Sequence, residues 1–331
     1  MKKTIELPAT LMEAIRYFSD PDVCLAFMVA LRWPNSKVIC PQCGSDSVIF
    51  LANQRRFKCR RKHPRRQFSV KVGTILEDSP IGLDKWFTAM WMIANCKNGV
   101  SSYEIARELG VTQKTAWFMD HRIRLAMQTG TFEKKFSGQI ESDETYIGGL
   151  AKNMHKWKRE QKMQGGRGTA GKAIVMGVLE RHGEEDAVSQ VRAKVIHSTA
   201  TPTIEKEIRE AVEPNSELFT DELASYAGLS QEYVHQVINH TEAYVKGKVH
   251  TNGIENFWSL LKRTIRGTYV SVEPFHLFRY VDEQSFRFNN RKDDNAGRFA
   301  NVVSGVTGKR IMYKDLVGKE SKDDLSSEAG A

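Results

Sequence analysis

The stretch SGQIESDETYIGG, Ser137 to Gly149, begins a change in the periodicity of the sequence. The period of the preceding helical residues is lost, and β-branched residues recur in this stretch and in the later stretches GKAIVMGVLER and AVSQVRAKVI. Short runs rich in β-branched side chains and bounded by glycine or polar residues are typical of β-strands. The stretch therefore predicts the first of three successive strands in one sheet.

After these strands the pattern alternates between helix and strand. TPTIEKEIREAV predicts a helix with Thr201 as its N-cap and Pro202 in the first turn. SELFTD predicts a short strand, ELASYAGL a short helix, YVHQVINH another strand and NGIENFWSLLKRTIRG an amphipathic helix. The order β-β-β-α-β-α-β-α describes a mixed α/β sheet flanked by helices, and it is also the order of the RNase H-like fold.

The rest of the chain divides by composition into further segments. Residues 1–36 predict an N-terminal helical segment, 37–76 a small polar, Cys-containing module, and 80–130 an all-helical domain. Residues 136–300 hold the predicted sheet domain. Residues 301–331 are predicted to be a tail with a disordered end, because that end is polar and rich in small residues. The fold class is therefore multidomain α+β.

Four residues of the small module have the spacing of a zinc site. Cys40 and Cys43 form a C-x2-C pair, and Cys59 and His63 form a C-x3-H pair after an interval that suits a β-hairpin. A short segment with so little apolar content needs such a staple to fold, which predicts a structural Zn²⁺. Basic residues that predict phosphate contact crowd the second pair: Arg55, Arg56, Lys58, Arg60, Arg61, Lys62, Arg65 and Arg66.

The helical domain contains the pattern of a helix-turn-helix in SSYEIARELGVTQKTAWFMDHRIRLAM. Ser101 or Ser102 caps the first predicted helix, Gly110 takes the left-handed turn, and Thr112 caps the second helix. The second helix of such a pair enters a DNA groove. The residues predicted to face DNA are Gln113, Lys114, Trp117 and Arg122.

Three acidic residues occur at unusual positions in the predicted sheet domain. Asp143 lies within the first strand and Asp221 ends a short apolar strand, although Asp is depleted from strands. Glu255 is the carboxylate on a polar helix face that otherwise carries Lys262 and Arg266. We interpret the two basic residues as contacts to DNA phosphates.

In an RNase H-like arrangement, the first and fourth strands are neighbours and the C-terminal helix packs across them, so the three acids can converge. Converging carboxylates repel unless cations neutralise them, and two Mg²⁺ ions about 3.5–4 Å apart, or Mn²⁺ in their place, would do so. As metal ligands, Glu141 and Glu144 are alternatives to Asp143, and Glu222 is an alternative to Asp221.

These motifs together resemble the insertion-sequence transposases of the zinc-ribbon, ISXO-like DDE type. The matching pieces include VICPQCGS, DETYIGG, FTDELASYAGL and HTNGIENFWSLLKRTIRGTY, and the resemblance covers about residues 10 to 300 in family order. It implies an RNase H-like catalytic domain with the acidic triad Asp143, Asp221 and Glu255. Many members have a second C-x2-C where this chain has Cys59 and His63. A family histidine matches His250, either near the scissile phosphate or in a structural hydrogen bond.

The composition supports a nucleic-acid partner. The net charge of +9 favours a polyanion, no segment approaches the roughly 18 apolar residues of a membrane-spanning helix, and the N-terminus lacks the apolar stretch of a signal peptide. We therefore expect a cytoplasmic, DNA-associated transposase that binds double-stranded DNA, both transposon ends and target, as a dimer or larger assembly. The alternatives are a non-catalytic DNA-binding regulator of the same architecture and another RNase H-like nuclease.

Overall fold

The computed structural model describes residues 7–35, 37–128, 134–148, 172–182, 188–221, 224–238 and 250–317. Gly149, Glu222, the last two residues of the predicted strand YVHQVINH and the predicted disordered end of the tail from residue 318 lie outside these ranges.

Contacts divide the chain into two compact units. The first contains the residues up to Cys96, Val100–Met127 and the residues from Asp293 onward. The second contains Lys97–Gly99 and Gln128–Lys292. The first unit is therefore built from segments that are far apart in sequence.

The helices of both units are numbered along the chain. They are α1 Leu11–Tyr17, α2 Pro21–Arg32, α3 Leu83–Asn95, α4 Ser102–Leu109, α5 Gln113–Met127, α6 Thr201–Ala211, α7 Asn252–Thr264, α8 Leu277–Asn289, α9 Asn295–Ser304 and α10 Tyr313–Val317. No helix within the described ranges is long and apolar enough to cross a membrane.

Four phenylalanines form an aromatic core in the first unit. Phe18, Phe27, Phe87 and Phe299 are all buried, and their ring centroids lie 4.6 to 6.5 Å apart. Such distances allow tilted and edge-to-face packing, which adds to the free energy gained by burying the rings. The core thus joins α2, α3 and α9 with the residue that follows α1.

The first unit also contains a small antiparallel sheet. Its strands are β1 Val48–Leu51, β2 Arg56–Cys59 and β3 Gln67–Phe68, in the order β1-β2-β3. Phe57 pairs with Phe68 across β2 and β3, and their rings stack with centroids 5.7 Å apart. This is the β-hairpin module predicted between the two pairs of zinc ligands, with a short third strand.

Helices α4 and α5 begin and end as the sequence predicts. The Ser101 side chain accepts a hydrogen bond from the Glu104 N–H at 3.2 Å, Gly110 has φ +59°, and the Thr112 hydroxyl accepts from the Thr115 N–H at 3.2 Å. A positive φ of this size favours glycine, because other residues meet a steric penalty there. These local predictions are confirmed.

The second unit is built around a five-stranded mixed sheet. Its strands are β4 Gln139–Ile147, β5 Ala173–Glu180, β6 Gln190–Ile196, β7 Glu217–Asp221 and β8 Val234–Ile238. The spatial order is β6-β5-β4-β7-β8. Strands β4, β5 and β6 pair antiparallel, whereas β7 runs parallel to β4 and β8 parallel to β7. The prediction of a mixed sheet is confirmed.

Helices cover both faces of this sheet. Helix α6 packs on one face through Ile204 and Ile208, and α7 packs on the other through Phe257 and Leu261. The expected N-cap of α6 is wrong: Ala200 occupies that position without a side-chain hydrogen bond, and Thr201 is the first helical residue. Of the predicted acids, Asp143 and Asp221 lie on the neighbouring strands β4 and β7, and Glu255 lies on α7.

Candidate metal centres and nucleic-acid interface

The four predicted zinc ligands come together at one end of the small sheet. Cys40 and Cys43 lie in the turn before β1, Cys59 ends β2, and His63 follows it. Their ligand atoms all lie within 4.8 Å of one another. Among the described residues, no other group of three or more His, Cys, Asp or Glu side chains brings its ligand atoms this close together. The structure therefore supports His63 as the fourth ligand.

The spacing of these atoms fits tetrahedral zinc. Bonds of about 2.3 Å to sulfur and about 2.0–2.1 Å to nitrogen separate two sulfur ligands by about 3.8 Å and sulfur from nitrogen by about 3.6 Å. In the structure Cys43 Sγ lies 3.7 Å from Cys59 Sγ, and Cys40 Sγ lies 3.6 Å from His63 Nε2. The Cys₃His group is thus suited to a structural Zn²⁺.

The imidazole of His63 is also oriented for ligation. Its Nδ1 donates a hydrogen bond to the carbonyl oxygen of Pro64 at 2.6 Å. This bond fixes the proton on Nδ1 and leaves the Nε2 lone pair directed at the cysteines, as is common for metal-binding histidines.

Cations surround the second half of the ribbon. Arg55 pairs with Asp22 at 2.7 Å, and Arg66 donates to the Cys59 carbonyl at 3.2 Å, so both take part in local structure. The exposed basic side chains of this region are Arg55, Arg56, Arg60, Arg61, Lys62 and Arg65. They form a cationic surface beside the zinc group.

The residues predicted to face DNA on α5 differ in their surroundings. Lys114 is exposed, with its ammonium 4.6 Å from the ring centroid of Tyr313. Gln113 is half-buried and donates to the Ser102 hydroxyl at 2.9 Å, and Trp117 is half-buried. These three lie near the N-terminal end of α5.

Arg122 differs from the sequence-based expectation. Its side chain is buried, it donates to the Glu77 carbonyl at 2.7 Å, and its guanidinium lies 4.2 Å from the ring centroid of Phe118. Its role is therefore inside the first unit.

The acids Asp143 and Asp221 lie on neighbouring strands. Parallel pairing of β4 and β7 aligns Glu141 with Phe219, and continuing this register by two residues puts Asp143 beside Asp221. Helix α7 crosses the same face, and the Trp258 indole N–H donates to Asp143 Oδ2 at 2.9 Å. Glu255, one turn before Trp258, lies in the first turn of that helix.

Close packing between α7 and the sheet depends on a glycine. Gly177 on β5 pairs with Asp143, and a Cβ at Gly177 would lie 2.6 Å from the Trp258 ring and 2.8 Å from Ile254. Only hydrogen fits in that space, so the glycine lets the helix approach the strand that bears Asp143.

Electrostatics link the three acids. Burial, together with the charges of Asp221 and Glu255, raises the pKa of the Asp143 carboxyl to about 6, although the N–H groups of Glu144 and Trp258 oppose the shift. The carboxylates are not packed as tightly as the Cys₃His group. Asp143 and Asp221 are half-buried, whereas Glu255 is exposed.

The two alternatives to Asp143 have other partners. Glu144 lies on the opposite side of β4, where the Tyr226 hydroxyl donates to it, and burial raises its pKa to about 7. Glu141 shares the face of Asp143 but accepts from the Ile254 N–H at 2.8 Å and pairs with Arg181 at 2.5 Å. Asp143 therefore remains the preferred strand-borne acid.

Glu255 is exposed and held by the residue before the helix. The buried Thr251 donates its hydroxyl proton to Glu255 Oε1 at 2.9 Å. This bond orients the carboxylate.

A basic groove of about 510 Å³ lies beside the C-terminal part of α7. It contains both predicted phosphate contacts on that helix, Lys262 and Arg266, and a third cation, Lys172. Its other lining residues are Tyr146, Ile147, Gly148, Ile265, Val270, Ser271 and Val272. The groove combines an apolar floor with positive charge.

Several contributors to the acidic centre were not found from the sequence. Trp258 carried only the signal of an apolar helix position, although its three-residue spacing from Glu255 aligns the two on the helix. Nothing in the sequence pairs Glu141 with Arg181, because the two are forty residues apart.

Comparisons with known proteins agree with this architecture. The ISXO2-like transposase domain matches residues 135–289, and the transposase zinc-ribbon domain matches residues 19–62. A protein described as uncharacterized in the transposable element ISH50 of Halobacterium salinarum is 25% identical over 264 residues, which cover 76% of this chain and 85% of that protein. An uncharacterized transposase-like protein of Haemophilus influenzae is 33% identical over 102 residues, 30% of this chain and 82% of that protein.

No solved structure matches the chain. The two family models match in the order of the zinc ribbon and the sheet domain, and the printed names of both relatives refer to transposable elements or transposases. The chain therefore belongs to the ISXO2-like transposases and carries the zinc ribbon of that family.

Proposed function

We propose that this protein is a DDE-type DNA transposase that cuts and joins phosphodiester bonds at the ends of its own element. Asp143, Asp221 and Glu255 are the catalytic triad and the ligands of two Mg²⁺ ions, for which Mn²⁺ can substitute. The observation that carries this proposal is the arrangement of the three acids: two lie on adjacent strands and the third on the helix that packs across them.

The sheet supports an RNase H-like assignment for the second unit. Three antiparallel strands are followed by two parallel ones, with β4 and β7 side by side in the centre. This is the strand order on which the convergence of the acids depends. The fold alone does not define the reaction, so the proposal rests on the acids.

The residues fit a hard divalent cation. All donors are carboxylate oxygens, which Mg²⁺ prefers. The pKa of Asp143 is raised by burial and, less strongly, by the charges of Asp221 and Glu255, and a bound cation would offset both effects. When bound, two such ions supply activation of the attacking hydroxyl and stabilisation of the leaving oxygen.

The chain's own groups would hold the centre in place and bind the substrate. The Trp258 indole and the Glu144 N–H fix the two oxygens of Asp143, and Thr251 fixes Glu255. Lys262 and Arg266 bind the phosphates of the DNA strand along the groove.

Recognition of the terminal inverted repeats is assigned to the first unit. Helices α4 and α5 act as a helix-turn-helix in which Gln113, Lys114 and Trp117 face DNA, and the cations of the zinc ribbon contact phosphates. Arg122 is left out of this surface because it is buried. Pairing two transposon ends calls for a dimer or larger assembly on DNA.

The test is Mg²⁺-dependent cleavage of a duplex that carries the element's terminal repeat, with wild type compared with Glu255→Gln. The substitution keeps size and helix but removes the charge. A matched control is Glu210→Gln, because Glu210 is also an exposed helical carboxylate but belongs to α6, on the opposite face of the sheet.

We expect wild type and Glu210→Gln to cut, and Glu255→Gln to bind the repeat without cutting it. Equal cutting by all three proteins would show that Glu255 is a surface carboxylate outside the catalytic centre. Tight binding of the repeat without cutting by any of them would favour the non-catalytic regulator.

A further inference from the structure

One guanidinium contacts both strands that carry the predicted acids and the segment before the helix that carries the third acid. Arg181, just after β5, pairs with Glu141 on β4, and its guanidinium carbon lies 4.5 Å from the ring centroid of Phe219 on β7. It also donates to Nδ1 of His250 at 2.8 Å and to the His250 carbonyl, immediately before α7.

Each of these contacts lies close in sequence to an acid. Glu141 is two residues before Asp143 on the same strand, and Phe219 is two residues before Asp221. His250 precedes the helix that begins with Asn252 and carries Glu255 in its first turn. Arg181 therefore links three segments that each lie next to one of the acids.

Glu141 anchors the start of α7 directly. Its side chain is 1% exposed, and Oε2 accepts from the Ile254 N–H at 2.8 Å. Free N–H groups and the helix dipole at an N-terminal turn favour such a carboxylate. A Cβ at Gly253 would lie 2.9 Å from Glu141 Oε2, so glycine leaves room for the carboxylate.

We propose that Glu141 and Arg181 are positioning residues that set the separation between Glu255 and the two strand-borne acids, and that Glu141 is not itself a metal ligand. This inference rests on the proposed function. The Glu141 carboxylate is already paired with a cation, Arg181, which is only 13% exposed. The hydrogen-bond donors to Asp143, in contrast, are the neutral N–H groups of Glu144 and Trp258. A buried ion pair is suited to fixing geometry, and partners behind a metal ligand commonly control metal affinity.

The structure also gives His250 a partner in this arrangement. Its Nδ1 accepts from Arg181 and its carbonyl accepts from the same guanidinium. Of the two roles that the sequence leaves open for this histidine, these contacts support the structural hydrogen bond.

Three variants of the full-length, zinc-loaded protein test the proposal. Glu141→Gln keeps an oxygen acceptor for Ile254 but loses the ion pair, and Arg181→Lys keeps the charge but loses the planar fork. Gly253→Ala changes no charge and pushes against the Glu141 carboxylate. It also serves as the test if a charge variant fails to fold.

Two measurements are made on each variant: Mn²⁺ binding by titration, and hydrogen–deuterium exchange of the first turn of α7 without added Mn²⁺. We expect Mn²⁺ affinity to fall roughly 10–100-fold and exchange at Ile254 and Glu255 to become faster. Affinity for the terminal repeat should stay at the wild-type value, and cutting should partly recover at saturating Mn²⁺.

A matched control is Glu283→Gln, which breaks a buried ion pair with Arg287 within α8 of the same unit. If this variant loses Mn²⁺ affinity equally, the effect is general destabilisation and the proposal is overturned. Unchanged Mn²⁺ affinity in all three test variants overturns it too. Complete loss of binding in Glu141→Gln, equal to that in Asp143→Asn, would make Glu141 a ligand.

The exchange measurement separates this proposal from the proposed function. A wild-type protein that binds no Mn²⁺ would contradict the function. The Glu141–Arg181 anchor would then still be supported by faster exchange in the variants and contradicted by unchanged exchange.

Discussion

At the scale of single residues, the charged form of the Asp143 carboxylate is disfavoured by its surroundings. Its neighbours offer two hydrogen bonds, yet burial and the nearby acids raise its pKa from 3.8 to about 6. A difference of about two pKa units corresponds to about 3 kcal/mol between the charged and neutral forms. The folded protein therefore holds a proton at Asp143 that the unfolded chain releases more readily.

This linkage gives a pH dependence with a definite sign. The pKa of Asp143 is higher in the folded protein than in the unfolded chain, so proton binding at this residue stabilises the folded state. This stabilisation is fully present below about pH 4 and is lost as the pH rises through about 6. Without added Mg²⁺, the free energy of unfolding of wild type should fall between pH 4 and 8. The Asp143→Asn variant should lack up to about 3 kcal/mol of that fall.

Chemical denaturation at several pH values, in protein that keeps its zinc, measures this difference. Added Mg²⁺ should reduce it, because a cation replaces the proton as the partner of the carboxylate. Parallel stability profiles for wild type and Asp143→Asn would contradict the assigned environment of Asp143.

At the scale of elements, the zinc ribbon has too little apolar contact to fold by burial alone. Its sheet has three short strands, one of only two residues, and Phe57 contacts the rings of Phe50 and Phe68 within it. Metal ligation supplies folding free energy directly in such modules. Zinc binding by the Cys₃His group should therefore supply much of the free energy that folds the ribbon.

We expect one Zn²⁺ per chain, with its affinity lowered by His63→Ala and largely kept by His63→Cys. A thiolate can take the place of the imidazole at the tetrahedral position, whereas a methyl group cannot. Release of zinc to a colorimetric chelator measures the stoichiometry and the affinity in each variant. Circular dichroism measures whether secondary structure is lost with the metal. His182→Ala, outside the ribbon, is the control, and zinc affinity unchanged in His63→Ala would exclude His63 as a ligand.

Elements were more predictable from the sequence than contacts between them. The strands β4, β5 and β6 fall within the three stretches from which strands are predicted, and Cys40, Cys43, Cys59 and His63 meet as their spacing predicts. Both signals are local: short runs rich in β-branched residues indicate strands, and short ligand spacings indicate a zinc turn.

Arg122 and Arg181 show where local signals end. The C-terminal half of α5 is buried on every side, so helical periodicity cannot separate a core arginine from one that faces DNA. Arg181 acts through partners on β4, on β7 and before α7, and pairings between distant segments leave no period in one sequence.

At the scale of the whole molecule, charge dominates the expected interaction with DNA. The chain carries 49 Lys and Arg against 40 Asp and Glu, and exposed cations concentrate beside the zinc group. Each phosphate neutralised by a cation releases counterions, so the logarithm of the binding constant falls with the logarithm of salt concentration by about 0.9 per contact.

We expect the triple variant Arg60→Gln, Arg61→Gln and Lys62→Gln to weaken binding to any duplex and to reduce the salt slope by up to about 3. The reduction should be similar for repeat and unrelated sequences, because phosphate contacts carry no base information. Fluorescence anisotropy across a salt series measures both quantities.

Lys206→Gln combined with Arg209→Gln is the control, since these basic residues lie on α6 and pair with acids there. It should leave the slope unchanged. An unchanged slope in the triple variant would remove the ribbon from the DNA interface.

The aromatic core of the first unit has a consequence for synthesis of the chain. Phe18, Phe27 and Phe87 leave the ribosome early, but their partner Phe299 follows more than 200 residues later. At roughly 5–20 residues per second, the three rings wait about 10–40 s for their last neighbour. A gene copy truncated before codon 299 would therefore encode a product whose first unit lacks part of its aromatic core. The sequences of the zinc ribbon and of helices α4 and α5 would still be intact.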